Sequence, residues 1–166
     1  MKIRHFLIAS SALILLLALF SACGYYSFSG STLTGIETVY VPIFGNNTAE
    51  FGLEDKLTDA VIKAVNAERS LSSGERSTAD AVLEGRVTRV TDAPLTYTAG
   101  EQVSQYKVEI SAHIKFEDVK KRKTILEEDF SAFAEYDYPG GDRDTALAKA
   151  LDKLAQDIIN KAVSGW

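Results

Sequence analysis

His113 is one of two histidines in the chain, the other being His5 in the first residues. A nucleophile–base pair usually needs a histidine. His113 falls on the polar side of an alternating strand pattern, and a triad also needs an orienting acid and a placed nucleophile, so it reads as a solvated surface histidine. Asp137, Asp142 and Asp144 flank Gly140 and Gly141 and could suggest calcium. Their spacing matches no known calcium loop, and Asp142 as a helix cap explains it better. Neither a Gly-x-Ser-x-Gly nor a phosphate-loop pattern is present. Asn46-Asn47-Thr48 fits a glycosylation acceptor, but also a turn followed by a cap. The run Lys120-Lys121-Arg122-Lys123 could bind anionic lipid or sugar phosphates. It could equally be a solvated, edge-protecting hairpin tip. The expectation is a protein without catalytic residues, metal site or bound cofactor.

Cys23, the only cysteine, is the one residue whose setting implies covalent chemistry. Lys2, Arg4 and His5 precede an apolar run of 15 residues, Phe6 to Phe20, broken only by Ser10 and Ser11, and small Ser21 and Ala22 follow. A basic start, a short greasy core and a small-residue exit describe a secretory signal. The run is shorter than the ~18 residues expected of a spanning helix. The stretch LFSAC resembles the lipobox of bacterial lipoproteins, with Phe20 where that pattern prefers Leu. That resemblance implies cleavage before Cys23, then a diacylglycerol on its sulfur and an N-acyl chain. Two or more acyl chains hold a protein stably on a membrane, at ~0.8 kcal/mol per buried methylene. The alternative is an ordinary cleaved signal and one stray thiol. Residues 1–22 are thus expected to be a signal peptide, and residues 23–35, rich in Gly, Ser, Thr and Tyr, a lipidated tether. Removing 22 of 166 residues leaves 144, enough for one domain over residues 36–166. It also takes two of the 18 basic residues and none of the 23 acidic ones, so the net charge moves from −5 to −7. An acidic domain argues against nucleic acid as a partner. A lone cysteine excludes an internal disulfide and a cysteine metal site.

The elements that follow are legible from periodicity. Ile36 to Phe44 reads as a strand with Val39, Val41 and Ile43 on one face and Tyr40 on the other, and Pro42 marks an edge or bulge. Gly45 to Thr48 is turn chemistry, with Thr48 able to cap a helix running to about Glu68. Leu53, Leu57, Ala60, Val61, Ala64 and Val65 form its apolar stripe. After a polar loop, Ala79 to Val90 reads as a second strand with Ala81, Leu83 and Val87 inward, and Gly85 leaves room on that face for close packing. Thr91 to Gln102, with Pro94 and Gly100, reads as a loop. The third strand alternates strictly, with Tyr106, Val108, Ile110, Ala112, Ile114 and Phe116 inward, which marks one buried and one solvated face. Ile125 to Tyr136 reads as a fourth strand with Phe130, Ala132, Ala134 and Tyr136 inward. A final helix after Asp142 carries Leu147, Ala150, Leu151, Leu154, Ile158 and Ala162. The order strand, helix, three strands, helix predicts an α+β fold: a two-layer sandwich of a four-stranded mixed sheet with two helices on one face.

An ordered set of segments carries a further resemblance: CGYYSFSG, TVYVPIFGNNT, LEDKLTDAV, ADAVLEGRVTRV, SQYKVEISAHIKFED, FSAFAEY and DIINKAVSGW. Together they resemble the lipopolysaccharide-assembly lipoprotein family LptE, in the form found in Bacteroidetes. The resemblance implies a non-enzymatic subunit of the lipopolysaccharide export translocon. Such a subunit is anchored in the outer membrane by its acyl chains, faces the periplasm and the barrel lumen, plugs the LptD β-barrel and supports its assembly, and aids delivery of lipopolysaccharide to the outer leaflet. Implied partner contacts are Tyr97, in the Pro- and Gly-bounded loop, with Tyr106 and Glu109 on the third strand. Candidate contacts for lipopolysaccharide phosphates are Arg89, Lys107, Lys120, Lys121, Arg122 and Lys123. The loop 91–102 itself holds no Lys or Arg. The start VPIF followed by Asn47-Thr48 and a helix is also similar to small periplasmic lipoprotein domains that activate cell-wall synthases or build secretion pores.

Overall fold

The computed structural model describes residue 33 and residues 35–98, 100 and 102–164. The expected signal peptide, Cys23 and most of the expected tether lie outside the described residues. The elements in chain order are β1 (Thr38–Tyr40), β2 (Gly45–Asn46), α1 (Leu53–Ala67), β3 (Ser72–Ser73), β4 (Ala81–Tyr97), β5 (Val103–Asp118), β6 (Lys123–Asp137) and α2 (Arg143–Ser164). The α+β class holds, but the sheet has six strands where four were expected, in the order β3-β1-β4-β5-β6, with β2 also on β4. The extra two, Gly45–Asn46 and Ser72–Ser73, are two-residue strands, too short to show an alternation. β1 runs parallel to β3 and β4, and β2 parallel to β4, whereas β4, β5 and β6 form an antiparallel meander.

Hydrophobic alternation sets which face is covered. Val108, Ile110, Ala112, Ile114 and Phe116 of β5 are all buried, each beside a more exposed polar neighbour. They share one core with Ala81, Leu83 and Val87 of β4, Ala132 of β6 and the apolar stripes of both helices. A bulge between Val87 and Arg89 resets the phase of β4, so that Val90 again lies opposite Ile110. On α1, Leu53, Leu57, Val61 and Val65 are buried, and on α2 the buried set includes Leu147, Leu151, Leu154 and Ile158.

The first strand differs from its expected pattern. It pairs with β4 at Tyr40↔Val82 and again, as β2, at Gly45↔Arg86. Four residues, 41–44, therefore span three on β4, and Pro42 has no N–H to donate there. The extra residue switches the facing side: Ile43 is 71% exposed and Phe44 is 3% exposed. The Phe44 ring takes the space beside Gly85, where an added Cβ would lie 2.4 Å from its Cε2. Its backbone N–H donates to the buried Thr58 Oγ1 at 3.0 Å.

Thr48 does not cap α1. The N-cap is Gly52, at φ 76, with no side-chain cap, a left-handed conformation that suits glycine. Thr48 instead donates through its N–H and Oγ1 to Asn46 Oδ1, at 2.9 and 2.8 Å. Asn46 Nδ2 reaches Glu54 Oε2 at 2.9 Å, so the asparagine organises the lead-in to the helix. Asp142 does cap α2: its Oδ1 accepts the Asp144 N–H at 3.0 Å, and its Oδ2 accepts the Thr145 hydroxyl. At the other side of the sheet, β6 ends the strand order. There the Lys153 ammonium from α2 lies 5.0 Å from the Phe133 ring centroid and that of Lys107 lies 5.5 Å from it.

Candidate docking surfaces

The segment expected to be the 91–102 loop is mostly strand. β4 continues through Pro94 to Tyr97 and β5 resumes at Val103, so the connection shrinks to a few residues closed by the Thr98 N–H to Gln102 O bond at 2.8 Å. Composition misled here because Pro94 is tolerated beside register shifts flanking Thr96. The result is a long β4–β5 hairpin with Tyr97 near its tip, 58% exposed. Tyr106 is half-buried on the helix-side face, stacked on Tyr136 (centroids 5.8 Å apart) and edge-on to Tyr138 (5.3 Å). Glu109 lies on the opposite, open face and binds Lys107 Nζ at 2.8 Å. The three expected partner contacts therefore do not form one patch.

The six candidate bases are also scattered. Arg89 and Lys107 sit on the strands, while Lys120 to Lys123 lie at the β5–β6 turn. Eleven steps of extended strand, at ~3.3 Å each, carry the chain roughly 36 Å from Lys107 to Asp118, two residues before Lys120. Within the turn, Lys120 Nζ meets Asp80 Oδ1 at 2.5 Å, and Lys121 Nζ meets Asp118 Oδ2 at 3.2 Å. Asp80 also accepts the Glu37 and Thr38 N–H groups at 3.0 Å each. The Lys120 hydrogen bond, with those two amides, holds the Asp80 carboxyl down at about 2. A depressed carboxylate stabilises the fold above its unfolded pKa of ~3.9 and loses that contribution as pH falls through its folded value. Asp80→Asn is expected to lower the urea midpoint at pH 7 and to converge on the parent as pH falls toward 2. An equal deficit at both pH values would refute this role.

An arginine that periodicity could not single out ties one end of the fold together. Arg143, the first residue of α2, donates from Nη1 and Nη2 to the two Glu50 oxygens at 2.9 and 3.0 Å. Its Nε and Nη2 also bond Asp92, at 2.9–3.0 Å. The Tyr136 hydroxyl donates to the same Asp92 at 3.0 Å. One guanidinium thus joins the segment before α1, strand β4 and helix α2, with β6 attached through Tyr136. Bonding to Arg143 lowers the Glu50 pKa and raises that of Arg143. Burial of the Tyr136 ring, with the Asp92 bond, raises the phenol's pKa. The only signal in the sequence was that Arg143 follows the cap residue Asp142.

Chemically, these arrangements bind and brace. Among the described residues no cluster of His, Cys, Asp or Glu is placed to hold a metal, and no helix is long and apolar enough to cross a membrane. His113 lies between Asp129 (2.9 Å) and Glu127 (3.7 Å) on the open face, as one member of a surface charge ladder. The fold is a two-layer α+β domain. A family model for lipopolysaccharide assembly, LptE, matches residues 36–162, and the chain belongs to that family of non-catalytic lipoproteins. Solved structures that share the fold include the following two. A hypothetical protein from Chlamydia trachomatis is 10% identical, with TM-score 0.58, over 76% of this chain and 95% of that one. A protein from Xanthomonas campestris is 14% identical, with TM-score 0.55, over 78% and 86%. No curated protein shows significant similarity.

Proposed function

We propose that this chain is the lipoprotein subunit of an outer-membrane lipopolysaccharide translocon. It is anchored through acyl chains on Cys23, faces the periplasm and the lumen of an LptD-like β-barrel, and plugs and supports that barrel while lipopolysaccharide passes to the outer leaflet. The observation that carries the reading is the open sheet face. Lys107, Glu109, Lys115, Glu117, Glu127 and Asp129 make it a mixed-charge surface, several members already paired with each other. A barrel lumen is polar and wet, so a surface of this kind suits a plug. The exposed Tyr97 at the hairpin tip adds an aromatic anchor of the kind that binding interfaces favour. No cofactor enters the reading, and the charge of the domain leaves no role for nucleic acid.

The test is photo-crosslinking in cells from Tyr97 and Glu109, with Gln156 on the exposed side of α2 as reference. The expected result is capture of one large outer-membrane barrel from Tyr97 and Glu109, more weakly from Gln156. Capture should be lost in Cys23→Ser, which cannot be acylated. If neither position captures a barrel while the protein is folded and acylated, the plug assignment fails. The synthase-activator or secretion-pore reading then replaces it.

A further inference from the structure

The open face holds a second feature at the opposite end from the hairpin tip: a trough of about 420 Å³ beside β1 and the β5–β6 turn. Its apolar lining comes from Tyr40, Pro42, Val82 and Val119, and Arg76 and Arg122 line it as well. Val119 is 45% exposed. Lys115 also lines the trough, but Glu117 takes up its ammonium at 2.9 Å. Glu84 completes the lining. Arg76 and Arg122 have no ion pair among the described residues.

Arg122 is unusual in its backbone as well. It is the non-glycine residue with positive φ among those described, at φ 51. L-residues other than Asn and Asp seldom occupy this region, and Gly is the ordinary choice. A bulky cation at a position where Gly would fit better points from an outlier to a role. Two guanidiniums and an apolar lining in one trough suit a ligand with one anionic group and a short run of methylenes. The planar fork of arginine matches phosphate oxygens, and the apolar lining covers the carbons.

The position of the trough selects among such ligands. The Asp80 carboxylate holds Lys120 of the β5–β6 turn and the Glu37 N–H, so the start of the described chain lies at this end of the domain. Twelve residue steps lead from Cys23 to Gly35, a reach of at most about 40 Å when fully extended. With Cys23 acylated, that length is the upper bound on how far the start of the described chain stands from the anchoring leaflet. We infer that this trough binds the phosphate and first acyl carbons of an anionic phospholipid from that leaflet, with Arg76 and Arg122 as the phosphate ligands. The source of the lipid rests on the acyl-anchor reading, whereas the binding chemistry does not.

The full-length protein, solubilised in neutral detergent, should be titrated with dihexanoyl phosphatidylglycerol while the amide resonances of Val82 and Val119 are followed. Saturable shifts are expected with this lipid and not with dihexanoyl phosphatidylcholine. Arg122→Gly suits the φ of the turn, so lost binding cannot be blamed on misfolding. Together with Arg76→Ala it should weaken binding by about tenfold or more, as removal of charge-assisted phosphate bonds does. Three further outcomes would each overturn the assignment: equal binding of phosphatidylcholine, equal competition by inorganic phosphate, or tighter binding of an acidic peptide. Absence of saturable shifts would overturn it too. Mass measurement of the Cys23 modification tests the anchor separately.

Discussion

Ile110→Ala is expected to destabilise the domain by about 2–5 kcal/mol, the usual loss for truncating a fully buried isoleucine. Ile110 is 0% exposed and lies at the centre of the meander, opposite Val90 on β4 and Ala132 on β6. It has neighbours on both strands and in the core beneath, so little can collapse into the space left behind. Its neighbour Glu109 points the other way, with a side chain 35% exposed and a single surface ion pair to Lys107. Glu109→Ala should therefore cost no more than ~1 kcal/mol. Urea unfolding of the two variants, at one pH and with matched m-values, decides the matter. Comparable losses would mean that the open face is as buried as the helix-covered one.

Arg143→Ala should be the most damaging polar change, at about 1–3 kcal/mol. The figure lies between the ~3–5 kcal/mol of breaking a fully buried pair and the ~0–1 kcal/mol of a surface pair. That placement follows because Arg143, Glu50 and Asp92 remain about a third exposed, at 33, 30 and 30%. Loss of the guanidinium also leaves two carboxylates facing each other. Lysine at 143 should recover only a fraction, since one ammonium cannot make two forked contacts. Adding Glu50→Gln and Asp92→Asn to the alanine variant should restore part of the loss by removing the repulsion. The pH dependence has a definite sign. The Glu50 carboxyl is held below its ordinary range chiefly by its bond to Arg143. Its contribution is therefore complete above the unfolded value of ~4.3 and lost as pH falls through the depressed one. The alanine variant should show a shallower acid limb. An unchanged limb would mean that the bridge adds nothing to stability.

These two sites differ in how far the sequence reveals them. The role of Ile110 follows from a period of two sustained over a dozen residues of β5, a pattern that only a one-sided sheet requires. The stripes on both helices and the Asp142 cap are equally local, and all are present. What could not be read depends on partners distant in the chain. Glu50, Asp92 and Arg143 meet only once α1, β4 and α2 are assembled, and nothing in their immediate neighbours marks them. The exchange of Ile43 and Phe44 is a register effect, visible only when four residues are laid against three. The continuation of β4 through Pro94 was hidden because proline usually ends a strand. The scattering of the six bases is a matter of distance along β5, which residue type alone does not express.

The free side of β6 has a consequence for solubility. Its fifteen residues form the last strand of the sheet, so one row of its backbone donors and acceptors meets no further strand. Such a row is a template on which another copy could add a strand and begin cross-β growth. Two features oppose that outcome. The Lys153 side chain reaches Phe133 near the middle of the strand, and β6 also carries Glu127, Glu128, Asp129, Glu135 and Asp137, a density of like charge that two copies would have to bring together. Charged residues so placed are the kind that oppose self-templating, a duty separate from holding the native fold.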